Sequence, residues 1–400
     1  MKNYDVALRE LLAGMTLERA THTATLRTAF GAKLAVDCVA NYDSPQFDNS
    51  AMDGYALCDP EGTRHSFEIV DRVMAGDAVD FSLNPGEAAR IFTGAQIPLN
   101  TTTVVMQENT KVDATVLTLM EETPVGLNIR HQAEEIKKGE ILFQKGHVLD
   151  PAAIALLASQ GIWEVEVYND LRITVFSTGN ELKEPWEEIS ESQIYDANRY
   201  QLLAWVSTLA KAEDGGILKD QYDAVLAALS KASLENDLII LSGGASVGEA
   251  DFIAQAITEL GELNMWKLAI KPGKPFGWGK IGNCHIIMLP GNPVSAYATF
   301  YLLGYPAIKQ LMGVSPQLPQ LMAVINFGSD RIQPRREFLR GNYYQDERGE
   351  YYVDTVGLQG SAMLSGLSYA NCLVEMKENQ ETKKGSRVRI YPLPKEVAKV

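Results

Sequence analysis

The sequence predicts a multidomain α/β plus β protein with a three-layer α/β domain at its centre. Three observations carry that prediction. Between 172 and 311, short apolar runs alternate with helix-patterned segments, the signature of strands joined by crossover helices. From 67 to 125, and again from 320 to 400, short β-type runs are separated by Gly, Pro, Asn and Asp, which reads as two small β-rich domains. A chain of 400 residues has room for about two to four domains. The expected division is a segmented N-terminal linking domain (1–43 and 128–169), an inserted small β-rich domain (44–127), the α/β domain (170–313) and a C-terminal β-barrel or sandwich (314–400). Residues 1–25 belong to the linking domain or pack on the α/β domain.

Taken in order, Tyr4 to Gly14 has helical spacing through Val6, Ala7, Leu11 and Leu12 and stops at a glycine. Thr25 to Ala40 reads as a helix followed by a strand, broken near Gly31. Ser44 to Ala56 is turn-rich and places Asp48 and Asp53 on a loop. Strands are expected at Phe67 to Val73, Ala88 to Phe92, Thr103 to Gln107 and Thr115 to Met120. Asp150, Pro151 and Gly161 bracket a helix as N-cap, first-turn proline and terminator. Trp163 to Val167 alternates as a strand. In the α/β part, Arg172 to Phe176, Leu238 to Leu241, Met265 to Ile270 and Cys284 to Leu289 read as strands. Tyr195 to Lys211, Ala224 to Ala232, Asp251 to Leu260 and Pro293 to Leu311 read as helices. The alternation implies a parallel sheet. Short strands return at Val324 to Phe327, Tyr351 to Val356 and Arg387 to Tyr391.

The formal net charge of -15 argues against general nucleic-acid binding, which needs a broad cationic footprint. An anionic small substrate would require a local basic cluster set against that field. The four cysteines (Cys38, Cys58, Cys284, Cys372) are far apart and form no metal-binding spacing, so reduced thiols in a cytoplasmic protein are expected. The first ten residues are charged and lack the apolar core of a secretory signal. The sequence has no apolar run of 18 residues, so no membrane span is expected.

Three stretches carry the candidate chemistry. Leu238 to Phe252 runs from an apolar strand into Ser242-Gly243-Gly244-Ala245-Ser246-Val247-Gly248 and then meets Glu249 and Asp251 at a helix start. Strand, flexible loop and helix in that order present a ligand site at the carboxyl end of a strand, where glycines admit close approach. The loop matches neither of the common nucleotide fingerprints. Lys267, Lys271 and Lys274 fall within eight residues, shaped by Pro272, Gly273 and Pro275. Three ammonium groups aimed together would call for an oxyanion or phosphate. Charge alone leaves open whether they converge or point separately into solvent. Leu289-Pro290-Gly291-Asn292-Pro293 is a further strand-loop-helix junction. With Ser177 to Glu181, these loops would share one edge of the sheet, and Glu181 and Asp251 beside cationic phosphate binders suggest a bridging magnesium ion. Arg335, Arg336 and Arg340 offer two readings, reaching across to the anion or, as the expected role, a salt network on a β surface.

At this point the chain resembles the molybdopterin molybdenumtransferase (MoeA) family, whose relatives include the gephyrin E domain. The motifs are FDNSAMDGYA (47–56), FTGAQIP (92–98), FSTGNEL (176–182), QIYDANR (193–199), SGGASVGEADF (242–252), WKLAIKPGKPFGWG (266–279) and LPGNPVSA (289–296), spread over essentially the whole chain. The resemblance implies a four-domain homodimer whose α/β domain binds molybdopterin. It implies a cleft at which molybdenum from molybdate enters adenylylated molybdopterin, with Mg2+ and release of AMP. By motif, Asp53, Thr93, Glu181, Asp220, Asp251, Lys267 and Lys271 would be catalytic. Ser242, Gly243, Gly244, Ser246, Gly248, Lys274, Pro290, Gly291, Asn292, Pro293 and Ser361 would contact substrate, and Glu181, Asp251 and Glu135 would hold metal. Transient contact with other proteins of molybdenum-cofactor biosynthesis is also implied. Two departures stand out: Glu135 where the family usually has aspartate, which bears on metal geometry and on molybdate against tungstate, and Ala362 after Gly360-Ser361. Competing readings are an adenylylating enzyme on a related α/β domain, and a non-catalytic scaffold on the same fold.

Overall fold

The computed structural model describes residues 1–244, 252–328 and 332–394. It divides into two compact units, one of 1–19 with 169–400 and one of 20–168.

The larger unit is built on a six-stranded sheet. Its order is Lys211–Leu218, Arg172–Thr178, Leu238–Ser242, Cys284–Leu289, Pro275–Ile281, Glu262–Lys267. The first four strands are parallel, and Pro275–Ile281 runs antiparallel to both of its neighbours, Cys284–Leu289 and Glu262–Lys267. The sheet is therefore mixed, not parallel throughout. The correction has a simple cause: Gly282 turns the chain at positive φ, so Pro275–Ile281 and Cys284–Leu289 form a hairpin instead of a crossover. Alternate side chains of the central strand reach opposite layers. Leu238 and Ile240 join one buried cluster with Leu202, Trp205 and Ala296, and Ile239 and Leu241 join another with Val225, Leu229, Ala256 and Ile257. That continuous apolar run is what a strand covered on both faces requires.

Two further elements differ from the sequence expectation. The helix expected over Tyr195 to Lys211 spans only Asn198–Val206, and Lys211 opens an edge strand whose Glu213, Asp214, Gly215 and Gly216 hide it from an apolar pattern. Expected strand Met265 to Ile270 is two pieces, Glu262–Lys267 and Ile270–Lys271, the second paired in parallel with Arg336 and Glu337 of another sheet. That other sheet is a closed barrel of Arg336–Gln345, Tyr351–Thr355, Leu321–Ile325, Arg387–Pro392 and Cys372–Met376, the last strand pairing back to the first.

Helix Tyr4–Gly14 starts at Asn3, whose side chain accepts from the amides of Asp5 and Val6. Tyr4, Ala7 and Leu11 are buried in the larger unit's core. Arg336 ties this helix to the barrel. Its guanidinium, 8% exposed, meets Asp5 (2.8 Å), Glu375 (3.0 Å) and Glu378 (2.8 Å).

In the smaller unit, six strands form one sheet in the order Thr103–Met106, Gly54–Leu57, Glu87–Ile91, Ser66–Val73, Val116–Leu119, Thr110–Asp113. Thr21–Thr25 pairs antiparallel with Glu164–Tyr168, and helix Pro151–Ser159 packs there on Leu34, Leu149 and Val165. The side chain of Asp150 accepts from the Ala153 amide, as its N-cap position requires. No helix forms within 25–40: after Thr21–Thr25 the chain makes turns and isolated bridges at Lys33 and Leu34 and then Cys38–Val39. Three β-branched threonines favour the strand where a helix was expected to begin.

Removing one partner from a buried charge network leaves the others uncompensated. Arg336→Ala should therefore lower unfolding free energy by about 3–5 kcal/mol in urea denaturation. A change below about 1 kcal/mol, the scale of an exposed pair, would contradict the network's role.

Candidate functional site

Strand order reverses between Arg172–Thr178 and Leu238–Ser242: the chain steps to Lys211–Leu218 on one side and then to Leu238–Ser242 on the other. In open α/β sheets the crevice outside the carboxyl ends at such a point is the ligand site. A cavity of about 770 Å³ lies there, walled by the ends of the three neighbouring parallel strands and by the lysine loop. Thr178, Ser242 and Pro290 mark the three strand ends.

The backbone geometry of the floor demands glycine. Gly243 sits at φ +100°, and a Cβ there would lie 2.4 Å from the Thr178 hydroxyl. Gly273, also at φ +100°, leaves only 2.2 Å between an added Cβ and the Thr299 methyl. Larger residues would push the loops apart.

The opposite wall is cationic. Lys271, Lys274 and Arg335 line the cavity. Lys271 Nζ is 2.7 Å from Glu337 Oε1, while among the described residues Lys274 and Arg335 have no carboxylate within ion-pair distance. Glu181 is the one acidic side chain among the described lining residues. The local balance is thus positive within a chain of net charge -15, which is the setting an anionic ligand needs.

The barrel contributes a third wall through Gln359, Gly360 and Ser361. Arg340, 2% exposed, braces that loop by donating to the Leu358 carbonyl and, at 3.3 Å, to the Gly360 carbonyl. Burial holds its pKa below the ordinary arginine value. The Ser361 carbonyl accepts from the Val294 amide at 3.0 Å, fixing the loop to the start of helix Pro293–Thr299. The arginine cluster thus divides: Arg335 lines the cavity, Arg336 forms the salt network, and Arg340 supports Ser361.

Of the residues expected at the site, Glu181, Ser242, Gly243, Gly244, Lys271, Lys274, Pro290, Gly291, Asn292 and Ser361 line this cavity together. Lys267 does not; it ends the strand Glu262–Lys267 opposite Pro275, and its carbonyl accepts from the Lys2 amide. Pro293 begins the adjoining helix. Asp220 follows strand Lys211–Leu218, where its amide donates to the Asn180 side chain at 3.2 Å. Ser246, Gly248 and Asp251 lie outside the described residues. Asp53, Thr93 and Glu135 belong to the smaller unit. There Glu135 accepts from the Ser44 hydroxyl at 2.8 Å, and Asp53 Oδ1 accepts from both the amide and the hydroxyl of Thr93 at 2.8 Å. Those two bonds hold the Asp53 carboxyl below its ordinary pKa. Among the described residues no three His, Cys, Asp or Glu side chains gather as a metal site.

The sequence did not single out Thr178, Asn198, Ser295, Gln359 and Gly360 as wall residues, and of the two readings open for Arg335 the cavity lining favours the one toward the anion. Thr178, Asn198 and Ser295 lie inside the quoted motifs, so the signal was present without a geometry to single them out.

Three family models match the chain in succession: the MoeA N-terminal region (domain I and II) over 2–161, "Probable molybdopterin binding domain" over 174–310, and the MoeA C-terminal region (domain IV) over 330–393. A molybdopterin molybdenumtransferase of Haemophilus influenzae is 37% identical over 400 residues, covering 98% of each chain. The chain belongs to the molybdopterin molybdenumtransferase family. Molybdopterin molybdenumtransferase 2 of Mycobacterium tuberculosis is 31% identical over 390 residues, covering 93% of this chain and 95% of its own. Among solved structures, a molybdopterin biosynthesis MoeA protein of Pyrococcus horikoshii superposes with a TM-score of 0.83 at 28% identity, covering 98% of this chain and 100% of that one. The family's fold is thus present from the first helix through the barrel.

The paired bonds to Asp53 set a prediction. Thr93→Val removes the hydroxyl and keeps the amide, so the Asp53 pKa should rise toward the ordinary carboxylate value while staying below it. Carboxyl-carbon NMR titration reads this directly; an unmoved midpoint would contradict the hydroxyl's contribution.

Proposed function

We propose that the chain inserts molybdenum from molybdate into adenylylated molybdopterin, releasing AMP and forming the molybdenum cofactor. The observation that carries this is the wall of Lys271, Lys274 and Arg335 across a glycine floor in a member of this transferase family. Both substrates are anions. Charge-assisted hydrogen bonds contribute about 1.5–3 kcal/mol each, so two or three such donors suffice to hold and orient an oxyanion. The Gly243–Gly244 backbone offers the close approach a phosphate requires.

Mg2+ fits this arrangement in one way. It is commonly held by one or two carboxylates together with substrate phosphate oxygens and water. Glu181 supplies one carboxylate, and Asp251 is proposed for the second. Bound there, the ion would neutralise phosphate charge and polarise the phosphoanhydride. The protein's own groups then do the rest: Lys271 and Lys274 fix the anions, Arg335 and Ser361 close the barrel side, and Glu181 orients the acidic face. Lys267, Asp220, Asp53, Thr93 and Glu135 are proposed to act in the same reaction from outside this cavity's lining. We further propose a homodimer, the four-domain division given above, a cytoplasmic location and transient contact with other proteins of molybdenum-cofactor biosynthesis. No helix among the described residues is long and apolar enough to cross a membrane.

The test is purified chain with adenylylated molybdopterin, molybdate and Mg2+, assayed for AMP and for active cofactor. The proposal expects AMP release without ATP consumption. Lys271→Ala should reduce turnover by about 10²-fold or more, the scale of losing one preorganised charge-stabilising donor. Unchanged turnover would reject that role for Lys271, and ATP-dependent adenylylation would favour the competing enzyme step.

A further inference from the structure

Asn198, the first residue of helix Asn198–Val206, lines the cavity but spends its side chain inside the protein. Its Nδ2 donates to the Gly291 carbonyl at 2.7 Å and to the Ser242 hydroxyl oxygen at 2.8 Å. Its Oδ1 accepts from Gln201 Nε2 at 3.2 Å, and the same Gln201 nitrogen donates to the Pro293 carbonyl at 3.1 Å. The direction of these bonds is fixed by chemistry. A carbonyl oxygen only accepts, so the Asn198 atom beside Gly291 must be the NH2, and likewise for Gln201 beside Pro293. A carboxamide has two N–H donors, and both of Asn198's are used.

It follows that the Ser242 hydroxyl is an acceptor toward Asn198. Its own proton has no acceptor among the described residues, and Ser242 forms part of the cavity wall. We propose that Asn198 is a positioning residue for the reaction inferred above: it holds the Ser242 hydroxyl as a one-way donor to the substrate anion, and by bridging Ser242 and Gly291 it sets the spacing of two loops of the floor. The inference rests on that functional reading.

Asn198 is itself held by its neighbour. Arg199 is buried against Asp196, Asp214 and Glu184, and Asp196 also accepts from the Ser177 hydroxyl at 2.9 Å. The start of the helix therefore cannot rotate without breaking a buried ion network, which gives Asn198 a fixed reach.

The test uses AMP as the probe, with binding to the full chain measured by calorimetry at about pH 8 and about pH 5, on either side of the range in which a perturbed carboxyl titrates. Each variant is expressed as a ratio to wild type at the same pH, which cancels the titration of AMP itself. Asn198→Asp places a carboxylate that cannot donate, so the Ser242 proton turns toward it. Affinity should fall about tenfold at the higher pH and recover in part at the lower, as the new carboxyl regains one of the two donors that Asn198 supplied. Ser242→Ala should lose a similar factor without the pH-dependent recovery, and the two substitutions combined should cost little more than Ser242→Ala alone. A ratio for Asn198→Asp that is equal at both pH values, or losses that multiply in the double variant, would overturn the proposal. Absence of AMP binding by wild type would instead contradict the functional reading, and this inference with it.

Discussion

One buried guanidinium governs the geometry of the sheet's ligand edge. Arg199 is 1% exposed and meets Asp196, Asp214 and Glu184, which come from the approach to its own helix, from the edge strand and from the segment after Glu181. A charge so enclosed persists only when paired, and its carboxylates are costly to leave without it. The network therefore fixes three segments at once. Through Asp196 it reaches Ser177 at the end of strand Arg172–Thr178, and through the adjoining Asn198 it reaches Ser242 and Gly291. The floor of the cavity is tied to this network by hydrogen bonds at Ser177, Ser242 and Gly291.

On that floor the site is assembled from two architectures. The α/β sheet supplies glycine-lined backbone, and the barrel supplies Gln359, Gly360, Ser361 and Arg335. The lysine loop belongs to both: it leaves the sheet at Lys267, pairs with the barrel at Ile270–Lys271, and returns to the sheet at Pro275. Cationic side chains in a chain of net charge -15 stay together only if the fold imposes it. The pairing of Lys271 with Glu337 offsets one of the three charges, which reduces repulsion, and it uses one of that ammonium's three N–H donors, leaving the others beside Lys274 and Arg335 for an anion.

Much of this was legible in the sequence because local pattern and tertiary role agreed. Leu238 to Ser242, Cys284 to Leu289 and Pro151 to Ser159 are bounded by glycine, proline or a capping aspartate, and they appear where expected. Edge strand Lys211–Leu218 was hidden because it is polar, paired on one side and carries two glycines. Hairpin strand Pro275–Ile281 was hidden for a related reason, since its proline and two glycines read as loop chemistry. At the site, charged residues with unusual spacing announced themselves, whereas Asn198 did not. Its importance lies in two acceptors brought from 44 and 93 residues away, which no local pattern encodes. Arg335 was legible as a charge, but its separation in role from Arg336 depends on where the barrel strand begins: Arg335 sits in the bend just before strand Arg336–Gln345 and Arg336 is its first residue.

The central claim is that the wall of Lys271, Lys274 and Arg335 receives the oxyanion. Crystals of the full chain grown with molybdate and AMP, with diffraction recorded at the molybdenum absorption edge, test it most directly. The account predicts an anomalous peak within hydrogen-bond reach of at least two of those three side chains. Molybdenum bound with full occupancy elsewhere on the chain, with the cationic wall empty, would contradict it.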